Sequence, residues 1–184
     1  MCTKITSKEQ LIDEIAEALQ EHFYGEDMAA YLDLTAQEVT VLPGPDSYDP
    51  DEDKECNMLV AFPAEYVRER RRHELVEIEP TSSHESYDVM AEFAEKVDKD
   101  SLFRALRIRH PFAAFRRAVE NEGLLDQWYA FKNENELLAA KMWLEDNGID
   151  FVDGKIVRHD IVDNDDMDDD DMDDDEDMDD EEDI

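Results

Sequence analysis

At 184 residues the chain can hold one ordinary domain and an appendage, and its 53 acidic against 18 basic residues give a net charge of −35 at pH 7. That balance opposes non-specific attraction to nucleic acid or an anionic membrane and favours solubility, basic protein partners or loosely held cations. Cys2 and Cys56 are the only cysteines and lack CxxC spacing, which excludes a disulfide framework and reads as free thiols in a reducing cytoplasm. The opening MCTKITSKEQ has no apolar core of signal-peptide length, and no window approaches the roughly 18 apolar residues of a membrane span. A soluble, cytoplasmic protein without membrane contact is expected.

In chain order, Ser7 and Gln10 have the spacing of a capping box, and Leu11, Ile12, Ile15, Leu19 and Phe23 form one helical stripe ending near Gly25. Residues 28–34 and 38–42, split by a short polar break, predict an antiparallel hairpin. Residues 43–55, PGPDSYDPDEDKE, predict an acidic Pro-rich loop. Strands are expected at 58–62 and 75–78, flanking a basic insertion at 68–73, so four strands are available to one sheet.

Helices dominate the second half of the chain. Ser82 and Glu85 form a second capping box, with Tyr87, Met90, Ala91 and Ala94 facing a core. Asp100 is placed to cap a helix carrying Leu102, Phe103 and Leu106. Pro111 suits a first helical turn, with Phe112, Phe115 and Val119 following at spacings of three and four. Asn133 and Glu136 predict the start of a last long helix through Leu137, Leu138, Trp143 and Leu144, stopped by Gly148. Residues 149–161 suggest a short hairpin around Asp153 and Gly154. Strands precede clustered helices, which predicts an α+β fold: a small antiparallel sheet and a helix-rich C-terminal half in a single domain over residues 1–161.

Residues 162–184 are of another kind. From Asp163 to Asp183 there are 17 acidic residues and no basic one, leaving 36 acids against 18 bases, or −18, elsewhere. Such a run cannot bury enough apolar surface to offset chain entropy, and disorder is expected. It would hold Ca²⁺ or Mg²⁺ diffusely, because tight sites need fixed coordination geometry.

YLDLTAQEV from Tyr31, LxxAL from Leu102, PFAAFRRAV from Pro111, LLDQWYAF from Leu124 and WLEDNGI from Trp143 occur in an order that resembles the bacterial Uncharacterised Protein Family 0158. The likeness covers roughly residues 29–149. It implies no activity, since the family has none assigned that could be carried over. Two departures stand out: where such sequences tend to have Gly in the hairpin turn and before the PF element, this chain has Gln37 and Ile108.

The chemistry-bearing residues are basic and aromatic. Arg68, Arg70, Arg71 and Arg72 form one cluster, and Arg104, Arg107, Arg109, Arg116 and Arg117 another, beside Phe112, Phe115, Trp128 and Tyr129. Arginine next to exposed rings suits a protein interface or single-stranded nucleic acid. The competing reading is an amphipathic helix whose arginines pair with neighbouring acids while the rings fill the core, and Glu69 within the first cluster favours it. Trp128, Tyr129 and Phe131 recur too closely for a single face, which leaves one ring for the surface. His84 and Asp88 have a two-ligand spacing without a third ligand, and His22, His73, His110 and His159 read as surface or capping residues, so no metal site is expected.

No catalytic set and no cofactor motif emerges. The sequence therefore favours a non-enzymatic module that docks a protein partner through Arg104, Arg107, Arg109, Arg116, Arg117, Trp128 and Tyr129, together with Arg70, Arg71 and Arg72. A nucleic-acid-binding regulator autoinhibited by its acidic tail is the second reading, and a small-molecule enzyme with a site assembled from distant loops the third. Because the tail's like charges repel a body that is itself −18, truncation after Ile161 should preserve cooperative unfolding, at an equal or slightly higher midpoint in low salt. Thermal melts of both forms across a salt series check this, the difference shrinking as salt rises.

Overall fold

The computed structural model describes residues 4–21, 28–43 and 64–159. The expected loop at 43–55 beyond Pro43, the strand at 58–62 and the acidic tail lie outside the described residues, as do Phe23 and Gly25.

Helix α1 (Lys8–Gln20) starts where the Ser7 side chain accepts a hydrogen bond from the Gln10 N–H. The Gln10 side chain reaches back to Thr6, accepting from its N–H at 3.0 Å, rather than to Ser7 itself. Strands β1 (Met28–Asp33) and β2 (Glu38–Pro43) form the expected antiparallel hairpin, and β3 (Leu75–Ile78) joins the free edge of β1 antiparallel, giving the order β2-β1-β3. Period-two alternation sorts the two faces. Leu32, paired with Val39 and Val76, lies on the face carried by α1, while Asp33, paired with Glu38, lies on the other.

That second face is covered by α2 (Ala64–Arg70), formed in part by what reads in sequence as a basic insertion. Val67 of α2 is fully buried, and Tyr66 and Arg70 contact Thr40, Asp33 and Glu38.

The capping box at Ser82 is present in full and opens α3 (Ser83–Val97), with Met90, Phe93 and Ala94 buried. Helix α4 (Asp100–Leu106) is preceded by Lys99 at the N-cap, with no side-chain cap, so Asp100 stands inside the first turn and not at the cap. There its charge complements the helix dipole. Helix α5 (Pro111–Asn121) begins with the proline and buries Phe115 and Val119, whereas Phe112 stays exposed.

The largest departure from the sequence reading is α6 (Leu125–Asp146), which starts well before Asn133. Gly123, at φ +71°, closes α5: its N–H bonds to Glu120 O at 3.1 Å and that of Leu124 to Val119 O at 2.9 Å. This Schellman turn launches α6 at once, and no side chain caps it. Asn133 and Glu136 are interior residues, Glu136 pairing with Lys132 one turn earlier. Gly148, at φ +64°, follows the end of α6 as the spacing predicts, and β4 (Ile149–Val152) and β5 (Lys155–Arg158) form a two-residue hairpin with Asp153 and Gly154 both at positive φ.

Two clusters of buried side chains result. One joins α1, the sheet and the β4–β5 hairpin to Ala140 and Leu144 of α6. The other joins α3, α4 and α5 to Trp128. Its rings meet edge-on, Phe93 to Trp128 at 5.2 Å and Phe115 to Trp128 at 5.1 Å. At about 100° per residue, Trp128 and Phe131 lie roughly opposite Leu137, Ala140 and Leu144, so α6 serves a different core with each half. The chain is thus an α+β protein with a small antiparallel sheet and a helical C-terminal half.

Gln37 shows how the parts are tied. It holds φ +63° in the β1–β2 turn, a conformation that favours glycine. Its side-chain amide accepts from the N–H of Ile156 in β5, and donates to Leu34 O and to Ile156 O at 3.0 Å. Its carbonyl accepts from Ile5. Gln37→Ala should therefore lower stability by about 2 kcal/mol through the lost bonds to buried Ile156. Gln37→Gly should be about 1 kcal/mol less damaging, since it relieves the left-handed backbone. Urea midpoints of both variants measure the difference.

Candidate functional site

Three features concentrate chemistry: a buried ionic cluster under α2, an arginine surface on α4 and α5, and a groove beside α6.

The cluster holds all three buried polar residues of the described chain, Asp33, Glu38 and Thr40. β-sheet pairing brings Asp33 and Glu38 side by side on one face, and α2 lays Arg70 across both. Arg70 Nη1 is 2.7 Å from Asp33 Oδ2 and Nη2 is 2.5 Å from Glu38 Oε1, while the guanidinium carbon sits 5.1 Å from the Tyr66 ring centre. His73 Nδ1 also lies 2.7 Å from Asp33 Oδ2, and Asp33 Oδ1 accepts from the Ala36 N–H at 2.7 Å. Burial disfavours the charged carboxylate. The Ala36, His73 and Arg70 hydrogen bonds outweigh it and hold Asp33 below its usual range. Burial likewise opposes the Arg70 charge, and its bonds to Asp33 and Glu38 overcome that and raise its pKa.

An Asp–His pair of this geometry orients an imidazole. Here, with Arg70 on the same carboxylate oxygen, it fastens α2 and the chain after it to the hairpin. Sequence reasoning missed this arrangement. The available signal was two acids, Asp33 and Glu38, on hairpin strands at positions that alternation makes inward-facing.

The arginines expected to act together are divided. Arg70 belongs to the buried cluster, Arg71 Nη2 lies 3.4 Å from Pro43 O, and Arg72 is exposed in the turn after α2. Arg104, Arg107, Arg109, Arg116 and Arg117 are all exposed on α4, the following turn and α5. Among the described residues none of these five enters an ion pair; Arg104 Nε donates only to Asp100 O at 3.2 Å. A recess of about 400 Å³ opens between Asp100, Phe103, Arg104 and Arg107. Of the two candidate rings, Tyr129 is exposed, at 51%, and Trp128 is a core residue at 8%. The α6 turn that carries Trp128 into the helical core turns its neighbour outward.

His84 Nδ1 pairs with Asp88 Oδ2 at 2.9 Å on the exposed face of α3. Among the described residues no group of three His, Cys, Asp or Glu side chains could hold a metal ion, and no helix is long and apolar enough to cross a membrane.

The groove, of about 720 Å³, runs between the end of α1, the segment after β3, the first turns of α3 and the middle of α6. Phe112, Leu138 and Met142 line it, and each remains about half exposed.

Comparison with known proteins places this architecture. The model of an uncharacterised protein family, UPF0158, matches residues 4–163. The chain belongs to UPF0158. It is also similar to a UPF0158 protein of Pseudomonas aeruginosa, at 32% identity over 143 residues that cover 75% of this chain and 82% of the relative. No solved structure matches it. The hairpin motif YLDLTAQEV, which carried the resemblance in sequence, contains Asp33, Gln37 and Glu38, the residues that lock α2 and β5.

Asp33→Asn should cost about 3 kcal/mol, because it leaves Arg70 and His73 without the carboxylate they share under α2. The depressed pKa of Asp33 makes its contribution fully present above the ordinary carboxylate value, near about 4, and lost as pH falls through the folded value. The stability gap between wild type and variant should accordingly be widest at neutral pH and narrow below about pH 4. Urea denaturation across that range measures it.

Proposed function

We propose that this protein is a non-enzymatic interaction module whose α4–α5 surface docks an acidic protein partner. The single observation that carries the reading is the set of five exposed arginines that form no ion pair among the described residues, in a chain with 53 acidic residues. Local acids are abundant, yet none among the described residues closes on these guanidinium groups. Apart from the Arg104 Nε bond to Asp100 O, their donors are left for a carboxylate from outside. No lysine stands among them from Arg104 to Arg117, and exposed Ile108, Phe112 and Tyr129 lie on the same helical half. Arginine and aromatic rings with few lysines is the composition of interface centres. A net −35 chain repels most acidic proteins at long range, so only a partner that meets this patch gains from approach, and charge supplies orientation.

Arg116→Glu with Arg117→Glu changes two exposed residues of α5 and should leave the circular dichroism spectrum and melting midpoint intact. Affinity capture from the lysate of the encoding organism should then lose acidic proteins that wild type retains. An unchanged set of captured proteins would set this reading aside.

The opposite signs within one chain support a second reading, in which the run of 17 acids occupies the arginines until a nucleic acid displaces it. Deleting residues from Asp163 should then raise affinity for single-stranded RNA at low salt, with steep loss as salt rises. Equal, negligible binding by both forms eliminates it.

A further inference from the structure

The helical core does not end where its covering ends. At about 100° per residue, Trp128, Phe131, Asn135, Leu138 and Met142 fall within roughly an 80° stripe of α6. The first two are covered by α3 and α5, with Phe131 packed against Phe93 at 5.4 Å. Leu138 and Met142 continue the same stripe, one turn apart, at 53% exposure each. Opposite them the groove is closed by the segment after β3 and the first turns of α3, where Val89 and Met90 add apolar surface. Trp143 flanks it and Phe112 stands at one end. The site therefore has apolar anchors already aligned, and among the described residues no layer covers them like the one that buries Trp128 and Phe131 two or more turns earlier.

The rim decides what fits. Among the described residues, Glu77, Glu79, Glu85, Glu136 and Asp146 line the groove against one cation, Lys132, which is itself paired with Glu136. Hydrogen bonds from the Ser82 side chain and backbone hold Glu85 below its usual range, so it is charged at neutral pH. A second copy of this chain carries −35 and is repelled. Residues 163–183 have the wrong sign, and so do nucleic acid and anionic lipid. An apolar floor ringed by carboxylates suits a helix with an apolar stripe and flanking Lys or Arg, and methionine lets such a floor adapt to its anchors.

We propose that the α3–α6 groove is a docking site for a basic amphipathic helix of a partner protein, distinct from the arginine surface. Among the described residues no arginine lines it. Leu138 and Met142 receive the partner's apolar stripe at spacings of three and four, and the five carboxylates hold its basic flanks.

The test uses the full chain and a fluorescently labelled Lys/Leu peptide of about 18 residues, roughly five helical turns, patterned at i, i+3, i+4 and i+7. A scrambled isomer of equal charge reports simple attraction to the acidic chain. The patterned peptide should bind about tenfold tighter than the scramble at physiological salt. Leu138→Asp with Met142→Asp, both exposed, should abolish that preference while keeping the wild-type melting midpoint. Glu79→Lys with Asp146→Lys, also exposed, should weaken the patterned peptide by a similar factor. Equal binding of patterned and scrambled peptides overturns the proposal, as does a preference that survives in both double variants. Tighter binding of a Glu/Leu peptide, or self-association of the chain that the Leu138 and Met142 changes remove, overturns it in favour of another occupant.

Discussion

One helix with two working faces holds this structure together. The first half of α6 turns Trp128 and Phe131 into the aromatic core of α3, α4 and α5, and its second half turns Ala140 and Leu144 roughly the other way, into the core of α1 and the sheet. A single amphipathic stripe cannot do both, since a stripe of constant phase buries one side. The helix must also be continuous across the change, because its backbone is what relates the sheet to the helical half. The Lys132–Glu136 pair and the Asn135 side chain, which donates to Phe131 O, lie in that changeover. The groove follows from the same constraint. The stripe that faces the aromatic core runs on past its cover, and Leu138 and Met142 are left beside α3.

The sheet end depends on a different interaction. Asp33, Glu38 and Arg70 are ionic groups removed from water, and each alone would be costly there. They are compatible only as a set, with Arg70 bridging two carboxylates and Ala36 and His73 completing Asp33. Such a set specifies where α2 must lie, because a shift along the sheet would strand a carboxylate. Gln37 performs the equivalent task on the other side of the hairpin, standing in for a strand partner to Ile156. The hairpin of this chain therefore reads as a joint through which the N-terminal segment, α2 and the β4–β5 hairpin meet.

Much of this was legible in sequence wherever the signal was local. Ser7, the Ser82–Glu85 box, Pro111, Gly148 and Asp153–Gly154 act through hydrogen bonds and dihedral angles within a few residues, and the elements begin or end at them. The errors arose where distant contacts override local cues. Asn133 and Glu136 have cap spacing, yet the turn at Gly123 had already started the helix and the two cores on opposite faces blur its periodicity. Arg70 looks like its neighbours in a basic run, and only the fold lays it against Asp33 on the face of the sheet that α2 covers. Trp128 and Tyr129 are adjacent in sequence and differ by about 100° on the helix, which separates a core ring from a surface one. The groove was invisible for the same reason: α1, β3, α3 and α6 each supply part of its wall.

Family membership and net charge are separable properties of this chain. The family match ends at residue 163, where the run of 17 acids begins, and the described elements end at Arg158. The α4–α5 arginines and the acidic rim of the groove both lie inside the match. Within it, charge is sorted by sign onto different elements: arginines on α4 and α5, carboxylates around the α3–α6 groove, and a neutralising set beneath α2. Sorting of this kind orients a protein in the field of a partner, whereas a uniform charge only attracts or repels. The acidic run adds the second kind of effect to a body that already has the first. A run of one sign acts at a range that salt shortens and carries no preferred direction of approach.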